Sequence, residues 1–73
     1  MKIRVMGYPP GTSKDYIEKL FSVVGTVTEV KKKKGKNTAY VIMPYEQQAK
    51  KAVKLLNRAN IMGKKIVVEE CLS

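Results

Sequence analysis

The side chains in this sequence that can act on a partner are of two kinds. Lys31, Lys32, Lys33, Lys34 and Lys36 form a dense cationic run. Tyr40 follows it inside the alternating segment Thr38-Ala39-Tyr40-Val41-Ile42-Met43, and Arg4 sits in a second such segment, Lys2-Ile3-Arg4-Val5-Met6. Clustered ammonium groups attract polyanions, either phosphate backbones or anionic membranes. A phenol ring or a guanidinium plane on an exposed strand offers a flat surface for another ring.

Bond-making chemistry finds little support. The chain has no His, which removes the commonest general base and the commonest metal ligand. Cys71 is its single cysteine, so neither an internal disulfide nor a thiolate metal cluster is available, and no imidazole stands by to activate the thiol. An enzyme is not expected, and no metal or cofactor is implied. A lone cysteine fits a reducing, intracellular compartment.

Composition points the same way. Fifteen Lys and Arg against six Asp and Glu leave a formal net charge of +9 on 73 residues. Hydrophobic residues make up 44% and charged residues 29%, enough apolar content to fold rather than remain disordered. A chain of this length is one domain with a thin core and no room for a deep active site. No run approaches the roughly 18 apolar residues of a membrane helix, and charges break up Met1–Gly7 too early for a secretory leader. A strand-like run begins directly after Met1 and another ends shortly before Ser73. The chain therefore reads as a domain trimmed from a larger protein, with a complete small protein as the other reading.

The elements that position these residues follow from periodicity. Ile3 and Val5 alternate with Arg4 and Met6, which predicts a strand, and Tyr8-Pro9-Pro10-Gly11 ends it. Thr12 or Ser13 caps a helix with Asp15 in its first turn and an apolar stripe of Ile17, Leu20, Phe21 and Val24. Gly25 is then expected as a left-handed C-terminal residue. Thr26–Lys33 reads as a second strand, but Val27 and Val30 are three apart, which calls for a bulge or strong twist. Lys34-Gly35-Lys36-Asn37 is a turn. Thr38–Met43 is a third strand, with Ala39, Val41 and Met43 inward and Thr38, Tyr40 and Ile42 outward. Ala49, Ala52, Val53 and Leu56 predict a helix from about Tyr45 to Arg58, followed by a loop over Asn57–Gly63. Lys65–Glu69 is the fourth strand, with Ile66 and Val68 inward. The order βαββαβ predicts an α+β, ferredoxin-like sandwich: a four-stranded antiparallel sheet, its first and third strands central, with two helices on one face.

That plan hosts many functions, so the residues must choose among them. Metal-carrying relatives need Cys-x-x-Cys where this chain has Tyr8-Pro9-Pro10-Gly11. Ile3-Arg4-Val5-Met6-Gly7-Tyr8 and Lys36-Asn37-Thr38-Ala39-Tyr40-Val41-Ile42-Met43, on the two central strands, resemble the paired signatures of the RNA-recognition-motif family. Ile17…Leu20-Phe21…Gly25, Ala49…Ala52…Leu56-Asn57 and Ile61-Met62-Gly63-Lys64-Lys65-Ile66-Val67-Val68 extend the resemblance over nearly the whole chain. The departures are Arg4 and Thr38 where the family has aromatics, and Asn37 where it has glycine. Tyr40 alone remains of three stacking positions. The short turn and the Asn-x-Ala-x-Val-x-Met run also resemble, to a lesser degree, the polypyrimidine-tract-binding and matrin-type subgroup.

The resemblance implies a monomeric module that binds single-stranded RNA, with pyrimidine-rich strands as the subgroup's substrate and nuclear RNA processing as its setting. It places Arg4, Met6, Thr38, Tyr40, Ile42, Lys65 and Val67 on the open sheet face. Tyr40 stacks a base, Arg4 stacks a neighbour or pairs with phosphate, and Thr38 reaches base edges. Lys31, Lys33, Lys34 and Lys36 neutralise phosphates, which gives affinity but little sequence choice. Each stacking aromatic is worth ~1–3 kcal/mol, so two missing rings forfeit ~2–6 kcal/mol and predict weak, salt-sensitive binding unless sibling domains add avidity.

Plainer roles compete. Tyr40 also suits a strand by propensity alone, and lysines on an edge strand prevent edge-to-edge aggregation. Lys50, Lys51 and Lys54 read as a solvated helix face, and Tyr16 and Tyr45 as helix-flank packing. Tyr8 either packs beneath the sheet or reaches RNA from its loop. Met6, Ile42 and Val67 either stack bases or form a protein-docking patch, which is the alternative function: a protein-interaction module that keeps the fold.

Overall fold

Alternation builds the sheet as expected. The computed structural model describes residues 1–71, and its strands are β1 (Lys2–Met6), β2 (Glu29–Lys33), β3 (Thr38–Ile42), β4 (Asn60–Ile61), β5 (Lys64–Lys65) and β6 (Val67–Glu70). The helices are α1 (Lys14–Ser22) and α2 (Glu46–Leu56). Four strands form one antiparallel sheet in the order β2-β3-β1-β6, with β1 and β3 central. This is the ferredoxin-like arrangement. Ile3, Val5, Val30, Ala39, Val41 and Val68 are buried on one sheet face, in a single core with Ile17 and Phe21 of α1 and Ala49 and Ala52 of α2. Each large apolar side chain so buried contributes ~1.5–3 kcal/mol. The small side chains at positions 49 and 52 let α2 lie close to the strands.

The start of α1 resolves the choice of cap. The Ser13 hydroxyl accepts from the Tyr16 N–H at 3.0 Å. Thr12 instead donates its hydroxyl to the Pro9 carbonyl at 2.7 Å, locking the turn before the helix.

The end of α1 departs from expectation. The helix stops at Ser22, so Val24 lies beyond it and is only half-buried. Gly25 is not left-handed. It is small because α2 presses on it: a Cβ there would lie 2.6 Å from the Gln48 Cβ and 2.4 Å from its Oε1. That same Oε1 accepts the Thr26 N–H at 2.8 Å.

No bulge is needed in β2. The strand begins only at Glu29 and pairs without interruption from Glu29 opposite Ile42 to Lys33 opposite Thr38. Val27 precedes the strand and packs against the core from irregular chain, so its spacing from Val30 was never a strand period.

The fourth strand is shorter than its apolar run suggests. Lys65 belongs to a separate two-stranded hairpin, opposite Asn60. Its tight turn has Met62 and Gly63 at φ 47° and 88°, and the Asn60 side chain accepts the Gly63 N–H at 2.9 Å. Ile66 donates to the Ala59 carbonyl and accepts from Arg58, which ties residues 64–66 to the hairpin and delays sheet pairing until Val67. Among the described residues, no helix is long and apolar enough to cross a membrane.

Candidate nucleic-acid interface

Both helices pack on the face that carries Ile3, Val5, Ala39 and Val41, so the alternate residues form an uncovered face. The register arranges them in three rows across the strands. The middle row is Lys31, Tyr40, Arg4 and Glu69. Beside it run Lys33, Thr38, Met6 and Val67, and on the other side Glu29, Ile42 and Lys2.

Tyr40 is half-buried at the centre of the middle row. The ammonium of Lys2 lies 4.8 Å from the centroid of its ring. Arg4, opposite Tyr40 on β1, donates Nε to Glu69 Oε1 at 2.9 Å, and its Nη2 donates to the same oxygen. That hydrogen bond, followed by the charge of Glu69, raises the pKa of the guanidinium above its already high ordinary value. Arg4 is therefore a permanent cation anchored by a carboxylate. Lys31 makes a looser pair with Glu29 at 3.6 Å, both side chains well exposed.

A shallow depression of about 210 Å³ opens on this face, lined by Arg4, Met6, Lys33, Lys36, Thr38 and Tyr40. All six are residues that the sequence singles out. Lys31 and Ile42 lie on the same face outside the depression, and Val67 is 45% exposed on the edge strand. Lys65 is the exception, carried away from the four-stranded sheet by the β4–β5 hairpin.

Two participants escaped the sequence reading: Lys2, over the Tyr40 ring, and Glu69, on Arg4. Their parity was the available signal, since Lys2 falls on the same strand face as Arg4, and Glu69 on the same face as Val67. What parity does not give is register, and register is what brings each to its partner.

The tyrosines sort differently from expectation. Tyr8 is 1% exposed and joins the core, which closes the alternative in which it reaches out from the loop. Its hydroxyl has no hydrogen-bond partner, and burial raises its pKa. Tyr16 and Tyr45 do not pack closely: they are 40% and 59% exposed, because α1 and α2 turn other faces to the core. Lys50 pairs loosely with Glu46 one turn earlier, as a solvated helix face would. No group of three metal-ligating side chains occurs among the described residues.

Known proteins share this architecture throughout. The RRM domain of S. pombe Puf1 superposes with a TM-score of 0.91 at 24% identity, covering 100% of both chains. The third RRM of Pes4 matches with a TM-score of 0.91 at 25% identity, over 99% of this chain and 92% of that one. The C-terminal RNA recognition motif of hypothetical RNA-binding protein RBM19 is 30% identical, with a TM-score of 0.86 over 99% of this chain and 75% of that one. No curated protein sequence matches the chain. The family model described as the RNA recognition motif matches residues 3–67. With its βαββαβ order, its uncovered sheet face and that match over most of its length, the chain belongs to the RNA recognition motif family, a family of RNA-binding, non-enzymatic domains.

Proposed function

We propose that single-stranded RNA lies across the uncovered sheet face, with one base stacked on Tyr40. The observation that carries this reading is the middle row, where Tyr40 stands between Lys31 and Arg4 at the edge of a cationic depression that no helix covers. Stacking needs the ring face that Lys2 now shares. An exposed cation–π contact is worth ~0.5–1 kcal/mol, less than the ~1–3 kcal/mol of a stacked base, so the base displaces the ammonium. The freed Lys2 then meets a phosphate. Thr38 lies one row away and supplies a hydroxyl to a base edge, while Lys31, Lys33 and Lys36 neutralise the backbone.

Binding by this domain alone is weak and salt-sensitive, because Arg4 and Thr38 replace two stacking rings. Sibling domains in a larger protein supply the remaining affinity by raising effective concentration. Pyrimidine-rich strands and nuclear RNA processing follow from the resemblance to polypyrimidine-tract-binding and matrin-type domains.

The alternative is a protein-docking face built on Met6, Ile42 and Val67. Met6 and Val67 are direct cross-strand partners, but Ile42 lies two rows away, beyond the charged row of Tyr40, Arg4 and Glu69. The three do not form one apolar patch, so the geometry favours RNA over protein.

Titration of the domain with a pyrimidine-rich single strand, and with a duplex of the same sequence, tests the proposal at two salt concentrations. The single strand should bind more tightly, with a log–log salt slope of about −0.7 per phosphate contacted. Equal affinity for both, vanishing as salt rises, would leave only unspecific attraction to charge.

A further inference from the structure

The two helices carry their charge differently. On α1, Lys14 and Lys19 are exposed together with Asp15 and Glu18, so its solvent side is balanced. On α2 the acid ends with Glu46 in the first turn, and Lys50, Lys51 and Lys54 follow it, all exposed. Lys50 leans back to Glu46 at 3.8 Å. Lys51, Lys54 and, just past the helix, Arg58 pair with no carboxylate among the described residues. Because Ala49 and Ala52 turn the other side of α2 to the sheet, this cationic stripe points away from the uncovered sheet face.

Two observations make the stripe more than a solvated helix face. Leu55 sits within it, one turn after Lys51 and next to Lys54, and is 58% exposed, while Val53 and Leu56 turn to the core. Arg58 is exposed and left-handed, with φ 70°. That conformation is strained for an L residue and free for glycine, so the arginine is held there against the preference of its backbone. The C-terminal dipole of α2 accounts for Lys54 in the last turn, but Lys51 lies further back, where the dipole has faded.

We propose that Lys50, Lys51, Lys54, Leu55 and Arg58 form a docking surface for an acidic, amphipathic helix of a partner protein. Charge complementarity selects the occupant. Carboxylates one turn apart on such a helix repeat every ~6 Å, the same rise that separates Lys50 from Lys54 and Lys51 from Leu55. An apolar side chain between those carboxylates covers Leu55 and removes it from water. A nucleic-acid strand would meet the cations but leave Leu55 wet, and residues 46–58 hold no aromatic ring on which a base could stack. Since α2 and the uncovered face lie on opposite sides of the sheet, the domain can hold this partner and an RNA strand together. The surface does not depend on the sheet-face reading.

Two fluorescent peptides test the surface on the whole chain, one of glutamates with leucines at helical spacing, the other with serines in place of those leucines. At low salt the leucine peptide should bind saturably and shift the amides of residues 50, 51, 54, 55 and 58. Leu55→Ala should weaken it about 3- to 10-fold, roughly half of a buried leucine's worth, and leave the serine peptide unchanged. Lys51→Ala should weaken both peptides by about 1.4- to 5-fold. Arg58→Gly should raise the melting temperature by relieving the left-handed backbone while weakening the peptide, a split that a merely structural arginine would not produce. Tyr40→Ala should leave peptide binding as it was, and saturation with an oligouridylate should leave the peptide bound. Absence of saturable binding, equal affinity for the two peptides, peptide shifts centred on the β2–β3 turn, or a Leu55→Ala or Arg58→Gly protein that binds as wild type does would overturn the surface. An oligouridylate that shifts the amides of α2 and displaces the peptide would overturn it too, since the occupant would then be nucleic acid.

Discussion

The guanidinium of Arg4 is paired with the carboxylate of Glu69, its neighbour across the β1–β6 ladder, while the cation over the Tyr40 ring on its other side is Lys2. The rest of the row follows the same logic. Lys2 rests over Tyr40 and Lys31 beside Glu29, so along these two rows the cations have local partners, while Lys33 in the neighbouring row has no carboxylate partner among the described residues. Such exposed contacts are worth ~0–1 kcal/mol each. They hold the side chains in place without resisting exchange for a phosphate or a base.

On the proposed RNA path, Glu69 competes with phosphate for Arg4. Glu69→Gln should therefore raise RNA affinity by about 1.4- to 5-fold, the equivalent of ~0.2–1 kcal/mol, and steepen the salt dependence. Unfolding in urea should show only a small stability loss. An unchanged or reduced affinity would mean that Glu69 positions Arg4 rather than competing for it.

Tyr40→Ala should cost ~1–3 kcal/mol of RNA binding, or roughly 5- to 150-fold, when measured by calorimetric titration. Tyr40→Phe keeps the ring and should lose much less. If both substitutions weaken binding equally, the hydroxyl carries the contact and stacking does not.

Gly25 is required by contact, not by backbone conformation. Gly25→Ala forces a methyl group against Gln48 and should destabilise the fold by ~1–3 kcal/mol. Adding Gln48→Ala should recover only part of that, because the Cβ at 2.6 Å remains. RNA affinity should hold wherever the variant is folded, since α2 lies on the opposite face. Full recovery in the double variant would show that only the amide end was in conflict.

The contrast between Gly25 and Tyr40 shows what a sequence of this kind reveals. Tyr40, Thr38, Arg4 and Met6 were legible because strand parity is a local property, and each sits in an unbroken alternating run. Gly25 was not, because its reason lies in a side chain from the second helix. Lys65 was misplaced because Lys65–Glu69 looks like one strand, while the hydrogen bonds between Ile66 and residues 58–59 divide it. Val27 invited a bulge only because strand boundaries are weakly marked where a β-branched residue packs from a loop. The Arg4–Glu69 pair required the strand order and register together.

Tyr8 gives a pH prediction with a definite sign. Burial raises its folded pKa above the ordinary value of about 10, so the unfolded chain releases this proton first. The stability linked to the neutral phenol is present below about pH 10 and is lost as pH rises toward the folded value. Tyr8→Phe should lose less stability between neutral and strongly alkaline pH than wild type does in urea titrations. At neutral pH it should be equal or better, since an unpartnered buried hydroxyl is removed. A parallel alkaline loss in both proteins would place the effect on other groups.

The most direct test maps the amide resonances of the folded domain while a short pyrimidine-rich single strand is added at low salt. Shifts should concentrate in the two rows through Tyr40 and Thr38: residues 31, 33, 38 and 40 with Arg4, Met6, Val67 and Glu69. Saturable binding with perturbations confined to α1 and α2, and with Tyr40, Thr38 and Arg4 unmoved, would contradict a nucleotide path across the open sheet.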